Sequence, residues 1–368
     1  MPKDLLNGKV VVDKTAKISN EKANLLSKHK LKFEDLVFSR RGDVTCAAII
    51  TRNEVDYICG TGCLRVRPDI NYVFPLFLNT LIQNETVKDW LKSNSVGQTM
   101  PNMNSTILSN LPLLLPPLPE QRKIAEILGA WDEAISTLEK LITAKRQLKQ
   151  GLMQQLLTGK KRFKEFEGSE WKQYQLSDIA DITMGTSPKS ESYNKKKEGL
   201  PLLQGNADIV NRFSAPRIWT TEITKQCYPT DILISVRAPV GTIAISLHHA
   251  CIGRGLASIQ SQKNKSLSSY LYQLLLFCEG RWSKLSQGST FDSINSSDIK
   301  SCMFLIPLLI AEQEKIASVL WAADTEISTL EKQLAAYKQQ KRGLNATTPH
   351  RKNSSKRRTE NHKPEVSL

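Results

Sequence analysis

Residues 120–152 read EQRKIAEILGAWDEAISTLEKLITAKRQLKQGL, and residues 312–344 read EQEKIASVLWAADTEISTLEKQLAAYKQQKRGL. At a constant offset of 192, 19 of 33 positions are identical without a gap, and ISTLEK stands unchanged at Ile135–Lys140 and Ile327–Lys332. An internal repeat of this quality decides the architecture before any single motif does. Apolar residues recur in steps of three and four, at Ile124, Leu128, Trp131, Ile135, Leu138 and Ile142 in the first copy. In the second they fall at Ile316, Leu320, Ala323, Ile327, Leu330, Leu334 and Tyr337. That spacing predicts two amphipathic helices with narrow seams of the kind a second helix covers. Pro119 ahead of Glu120 and Gln121 marks a helix start, and Thr158–Gly159 followed by two lysines marks a stop. The first rod is therefore expected over 119–159 and the second over 311–344. About 38 residues at ~1.5 Å each make a rod of roughly 57 Å. One such helix is ordinarily core packing. Two near-identical copies are each other's natural partners, and an antiparallel pair is expected.

The segments ahead of the helices repeat as well. DLVFSRRGDV (Asp35–Val44) matches DILISVRAPV (Asp231–Val240), with Asp35, Ser39 and Arg41 paired to Asp231, Ser235 and Arg237 at an offset of 196. CGTGCLRVR (Cys59–Arg67) and CIGRGLASI (Cys251–Ile259) read as a second matched strand entered through a glycine turn. GQTMPNMN (Gly97–Asn104) and QGSTFDSIN (Gln287–Asn295) stand near the end of each body, Asn104 against Asn295. The fold class is α/β (α+β): two mixed bodies, 1–118 and 160–310, two long antiparallel coiled-coil helices, and a pseudo-two-fold internal repeat.

Composition narrows the function. The net charge is +15. The polar tail 345–368, expected to be disordered, supplies +4 of it from six Lys/Arg against two acidic residues, which leaves +11 on the body. Such a balance suits a polyanionic partner through counterion release. No apolar run is long enough for a membrane span and the N-terminus has no signal-peptide pattern, so a cytoplasmic address and no membrane partner are expected. Seven widely spread cysteines predict reduced thiols rather than a disulfide framework or a zinc site. Catalytic motifs are not found: no glycine-rich nucleotide loop, no GxxxxGK[ST] loop, and no Asp/Asn-Pro-Pro-aromatic motif. His248 and His249 are adjacent and would face opposite sides of a strand, a poor metal pair.

PPLPEQRKIAEIL with the helix that follows it, LKQGLMQQLLTGKKRF, EGSEWKQYQLSDIADITMGTSPKS (Glu167–Ser190), DILISVRAPVGTIA and CIGRGL together resemble the DNA-specificity subunits of type I restriction-modification systems. The resemblance runs over residues 30–344 in the family's order. It implies two target-recognition domains on double-stranded DNA, each reading half of a split site, with the helices as ruler and as the docking surface for two modification (methyltransferase) subunits. Restriction (motor-nuclease) subunits would complete the complex. No cofactor is expected on this chain, and S-adenosylmethionine, ATP and Mg²⁺ are expected on the partner subunits. One departure stands out. Counterparts of Trp171 and Gly185 would fall before Met1, so the first domain reads as N-terminally truncated relative to the second. A coiled-coil scaffold that has lost DNA reading is the alternative.

Base readout draws on Arg, Lys, Asn, Gln and hydroxyls, and most other contacts go to phosphates. The candidates in body one are Arg40, Arg41, Arg65, Arg67, Gln98 and Asn104. In body two they are Lys189, Gln204, Asn206, Arg237, Arg254 and Ser289, with TSPKS (Thr186–Ser190), Lys195–Lys197 and Gln204–Asn206 forming a polar edge. For Arg41 and Arg237 a structural role, such as pairing with Asp43, is as good a reading as groove contact.

Overall fold

The computed structural model describes residues 1–12, 15–97, 101–286 and 293–347. The chain divides into two compact units: Met1–Lys140 with the chain from Lys332 onward, and Leu141–Glu331. The two long helices, Leu118–Leu156 and Ile310–Thr347, each contribute to both units.

In unit 1 the strand Leu36–Ser39 lies between Ala47–Ile49 and Cys63–Val66, antiparallel to both. All four residues of the central strand are buried, because both of its faces are covered. One face packs on Leu78 and Ile82 of the helix Pro75–Ile82; the other packs on Leu5, Leu31 and Ile50. A hairpin, Leu5–Leu6 with Lys9–Val10, turns at Asn7–Gly8, both at positive φ as a tight hairpin turn requires.

Unit 2 is larger. A six-stranded mixed sheet runs in the order Ile209–Val210, Phe213–Ser214, Ile243–Ile245, Ile232–Ser235, Leu256–Ser261, Ala180–Met184. A five-stranded one runs Gln226–Cys227, Ala250–Ile252, Leu200–Leu203, Ile218–Thr220, Tyr193–Asn194. A separate ribbon pairs Trp171–Gln175 with Met303–Pro307.

A common frame underlies both units. Leu36–Ser39 with its two neighbours corresponds to Ile232–Ser235 flanked by Ile243–Ile245 and Leu256–Ser261. Asp35 accepts the Lys32 N–H at 2.7 Å, as Asp231 accepts the Tyr228 N–H at 2.8 Å. The first turns of the long helices are tied down by the same device. The buried Gln121 accepts the Phe74 N–H at 2.8 Å and donates to the carbonyls of Tyr72 (2.9 Å) and Pro116 (2.8 Å). Gln313 accepts the Leu267 N–H at 2.8 Å and donates to the carbonyls of Lys265 and Pro307, each at 3.0 Å. Each glutamine satisfies three backbone groups that burial would otherwise strand.

The long helices pair antiparallel within each unit. In unit 1 Trp131 meets Tyr337 edge-on at 5.2 Å, Glu139 pairs with Lys338 at 2.6 Å, and Asp132 pairs with Lys341. In unit 2 Asp324 pairs with Lys149 and Glu331 with Arg146, both at 2.6 Å, and Glu326 with Lys145 at 2.7 Å. At the offset of 192 the first two pairs of unit 2 are those of unit 1 with the helices exchanged, as an isologous contact demands.

The expected seam needs one correction. Leu128, Ile142 and Ile327 are buried, and Ile135, Leu138, Leu330 and Leu334 half-buried, along the stretches where the helices pair. Ile316 and Leu320 instead enter the core of unit 2 with Met153, Leu156, Phe304 and Tyr270, while Ile124 packs with Ala125 against the core around Phe77 and Leu91. The first turns of each helix are thus rooted in a globular body, because the glutamine clamp draws them there.

Candidate nucleic-acid interface

In each unit three backbone segments converge at the C-terminal end of the central strand. In unit 1 the Arg40 N–H donates to the Gly62 carbonyl at 2.8 Å and the Met103 N–H to the Arg40 carbonyl at 2.9 Å. In unit 2 Val236 donates to Gly255 at 2.9 Å and Ile294 to Val236 at 3.0 Å. Arg41 bridges Asn102, and Arg237 bridges Ser293. Both arginines are exposed, and neither has an ion pair among the described residues. Asp43 does not pair with Arg41. It accepts the hydroxyl and N–H of Thr45 (2.6 and 3.0 Å), and that hydroxyl above all holds its carboxyl below the ordinary range.

Unit 2 adds two further segments to this edge, 186–190 and 204–206. Gly185 and Gly255 make the approach possible: a Cβ on Gly185 would lie 2.1 Å from the Gly253 carbonyl oxygen, and one on Gly255 would lie 2.1 Å from that of Gln204. Ser187 accepts the Arg254 N–H at 3.2 Å and its Nε at 3.4 Å. The Gln204 amide donates to the Tyr193 hydroxyl at 3.0 Å, and Asn206 Nδ2 donates to the Pro239 carbonyl at 2.6 Å, leaving Asn206 Oδ1 unpartnered. Lys189, Gln204, Asn206, Arg237 and Arg254 therefore assemble on one edge, with Lys189 and the two arginines exposed. Ser187 and Tyr193 complete it. Ser187 belongs to the polar stretch Thr186–Ser190, but nothing in the sequence distinguishes its hydroxyl from the others there.

The unit 1 candidates divide. Arg40 is half-buried, and its Nε has no partner. Arg65 and Arg67 sit at the opposite end of the sheet from Arg41. Arg65 donates to the carbonyls of Lys28 and Lys30 at 3.0 and 3.1 Å, and Arg67 makes a two-point ion pair with the buried Asp35 at 2.7 Å. Register explains it: their strand runs antiparallel to Leu36–Ser39, so its distal residues return to the start of that strand. Asn104 accepts the Ile107 N–H at 2.8 Å and caps the helix Ser105–Ser109, as Asn295 caps Ser296–Lys300. Gln98 and Ser289 lie outside the described residues, as does the tail from residue 348. The triplet Lys195–Lys197 is exposed, with Lys197 Nζ 5.6 Å from the Trp219 ring centre.

His248 and His249 turn apart, to the Ser214 hydroxyl (2.7 Å) and to Gln226 (2.6 Å). All seven cysteines are free thiols, and burial pushes Cys59 and Cys227 up to about 11, far from thiolate reactivity near neutrality. No helix among the described residues is long and apolar enough to cross a membrane.

Residues 3–149 and 168–337 both match the family described as type I restriction modification DNA specificity domain. The chain belongs to that family. A Methanocaldococcus jannaschii protein assigned as the specificity subunit of the type I restriction enzyme MjaX is 33% identical over 343 residues, 89% of this chain and 80% of that one. The specificity subunit of MjaVIII from the same organism is 30% identical over 195 residues, 50% of this chain and 44% of its own. Among solved structures, a chain of a type I R-M system, described in terms of complex assembly and conformational transition, superposes with a TM-score of 0.60 at 25% identity, over 94% of this chain and 88% of that one. The HsdS subunit of Thermoanaerobacter tengcongensis gives 0.50 at 25%, over 94% and 87%. The S subunit from M. genitalium shares the fold, at 0.63 and 15% identity over 86% and 83%. As a member of this family the chain supplies DNA specificity and is not a catalytic subunit. A specificity match over 3–149 gives no support to a scaffold that has lost DNA reading.

Proposed function

We propose that the two units read the two halves of a split DNA site and that helix length sets the gap between them. Lys189, Arg237 and Arg254 are the main DNA contacts of unit 2, and Arg41 with Arg40 those of unit 1. The helices dock two modification subunits, and restriction subunits complete the assembly. S-adenosylmethionine, ATP and Mg²⁺ are held by those partners, and the complex works in the cytoplasm. One observation carries the reading. The same three-segment frame recurs in both units and sets an exposed arginine at a matched place, Arg41 and Arg237, with different loops around each. Similar frames with dissimilar surroundings are what two different half-sites ask for. Methylation mapping of the source genome with and without this gene tests it. Loss of one split adenine-methylation motif is expected, and an unchanged methylation pattern overturns the proposal.

A further inference from the structure

Both units set a hairpin turn beside a short helix and the long helices, and they differ in what lies between. The turns Asn7–Gly8 and Asn211–Arg212 both stand at positive φ. The Gly8 carbonyl takes the Ile49 N–H at 3.2 Å, as the Arg212 carbonyl takes that of Ile245 at 2.9 Å. The glutamine clamp aligns Phe74 with Leu267, so Asn79 answers to Tyr272 and Gln83 to Leu276. The offset of 192 aligns Gly129 with Trp321 and Asn345 with Met153.

Unit 2 fills this place with its own side chains. Tyr272 stacks on Trp321 at 5.5 Å and Met153 is buried. Arg212 donates to the Ile243 carbonyl at 3.1 Å and pairs with Glu279 at 2.9 Å. In unit 1 each of these side chains is smaller: Gly8 stands for the arginine, Asn79 for the tyrosine, Gly129 for the tryptophan and Asn345 for the methionine. A cleft of about 1180 Å³ results, walled by the hairpin, the helix Pro75–Ile82 and both long helices. Three buried amide atoms there, Asn79 Oδ1, Gln83 Nε2 and Asn345 Oδ1, have no hydrogen-bond partner among the described residues. Buried polar atoms left unpaired cost free energy that a bound ligand recovers.

The lining specifies the ligand. Asn79 and Gln83 are four residues apart and so share one face at the helix end. Asn345 is held beside them, its carbonyl taking Asn84 Nδ2 at 2.8 Å. The three amides offer two acceptors and one donor, the complement of an amino group next to a ring nitrogen. Lys88, Lys338 and Lys341 are matched by Glu85, Glu139 and Asp132. Lys9 and Arg342, also in the lining, have no ion pair among the described residues, so the uncompensated charge is positive and calls for an anion. The stacked rings of unit 2 show that the place accommodates flat groups.

We propose that this cleft of unit 1 binds a free nucleotide whose base bears an amino group. The base edge meets Asn79, Gln83 and Asn345, and the phosphate meets Lys9 and Arg342.

The test is calorimetric titration of the full chain with adenosine monophosphate. Saturable binding at one site is expected, with a higher melting temperature in its presence. Inosine monophosphate, which carries a carbonyl where adenine has its amino group, should bind about tenfold more weakly. Gln83→Leu, the residue of unit 2, should also cost about tenfold. Lys9→Ala with Arg342→Ala should bring the nucleotide down to the affinity of adenosine. Asn79→Tyr rebuilds the filling of unit 2 and should abolish binding, and an unchanged melt without nucleotide shows that the variant folds. No saturable binding at millimolar nucleotide overturns the proposal. Equal affinity for the inosine compound, or indifference to Gln83→Leu, overturns it as well. So does displacement of the nucleotide by duplex DNA, which would make the cleft part of the DNA track.

Discussion

Gln121 and Gln313 show how much one side chain can fix. Each sits in a buried spot with both amide atoms engaged and ties a long helix to the start of a shorter one, Pro75–Ile82 or Ser268–Phe277. Gln121→Leu would strand an N–H and two carbonyls, and should lower stability by about 2–4 kcal/mol. Thermal or urea unfolding checks this, and a change below about 0.5 kcal/mol would contradict the clamp. The same scale governs DNA reading. Arg237→Ala and Arg254→Ala should each weaken DNA binding by about 1–3 kcal/mol if the guanidinium meets a base, or reduce the salt slope by about one if it meets a phosphate. Binding isotherms across a salt series separate the two, and an isotherm identical to the parent's would remove that arginine from the interface. Gly255→Ala makes a complementary case. Its Cβ would collide with the Gln204 carbonyl, so the edge should be distorted and DNA affinity lost while the helix pairing persists.

At the level of elements, the long helices were legible because periodicity and duplication are local signals, and their observed ends differ from the expected ones by only a few residues. The rooting of Ile316 and Leu320 was not, since a heptad step cannot say whether its partner is another helix or a sheet. The short strands of unit 2 were equally hidden. Segments of two to four residues with parallel pairings, such as Ala250–Ile252 beside Leu200–Leu203, carry almost no periodicity. The placing of Arg65 and Arg67 at the far end of the sheet from Arg41 was hidden for a related reason, as it depends on register rather than on composition. The cross-helix ion pairs yield a sharper test. Asp132→Lys or Lys341→Asp alone should cost about 0.5–1 kcal/mol, a modest figure because the aspartate is half exposed, and the double swap should recover most of it. A double mutant no better than the sum of the singles would deny the pair any energetic role.

For the whole molecule the informative quantity is helix length. Inserting four residues after Lys140 and four after Glu331 lengthens both helices by about 6 Å and keeps their pairs in step. The preferred gap between half-sites should grow by roughly two base pairs, given ~3.4 Å of rise per pair. Methylation mapping of a strain carrying the lengthened chain reads this directly, and an unaltered gap would refute the ruler. The duplication itself was plain in the sequence. The second sheet of unit 2, which brings the loops 186–190 and 204–206 to the edge, was not.

The order of charges along the helices has one more effect. Each runs acid first and base later, Asp132 and Glu139 before Arg146 and Lys149, and likewise Asp324 and Glu331 before Lys338 and Lys341. Aligned head to head, such helices would set aspartate against aspartate, so polarity is written into the charge sequence. The same code cannot tell self from sibling. During refolding at high protein concentration, a helix from a neighbouring molecule offers the same terms as the chain's own, and exchanged assemblies should accumulate as dilution is withdrawn.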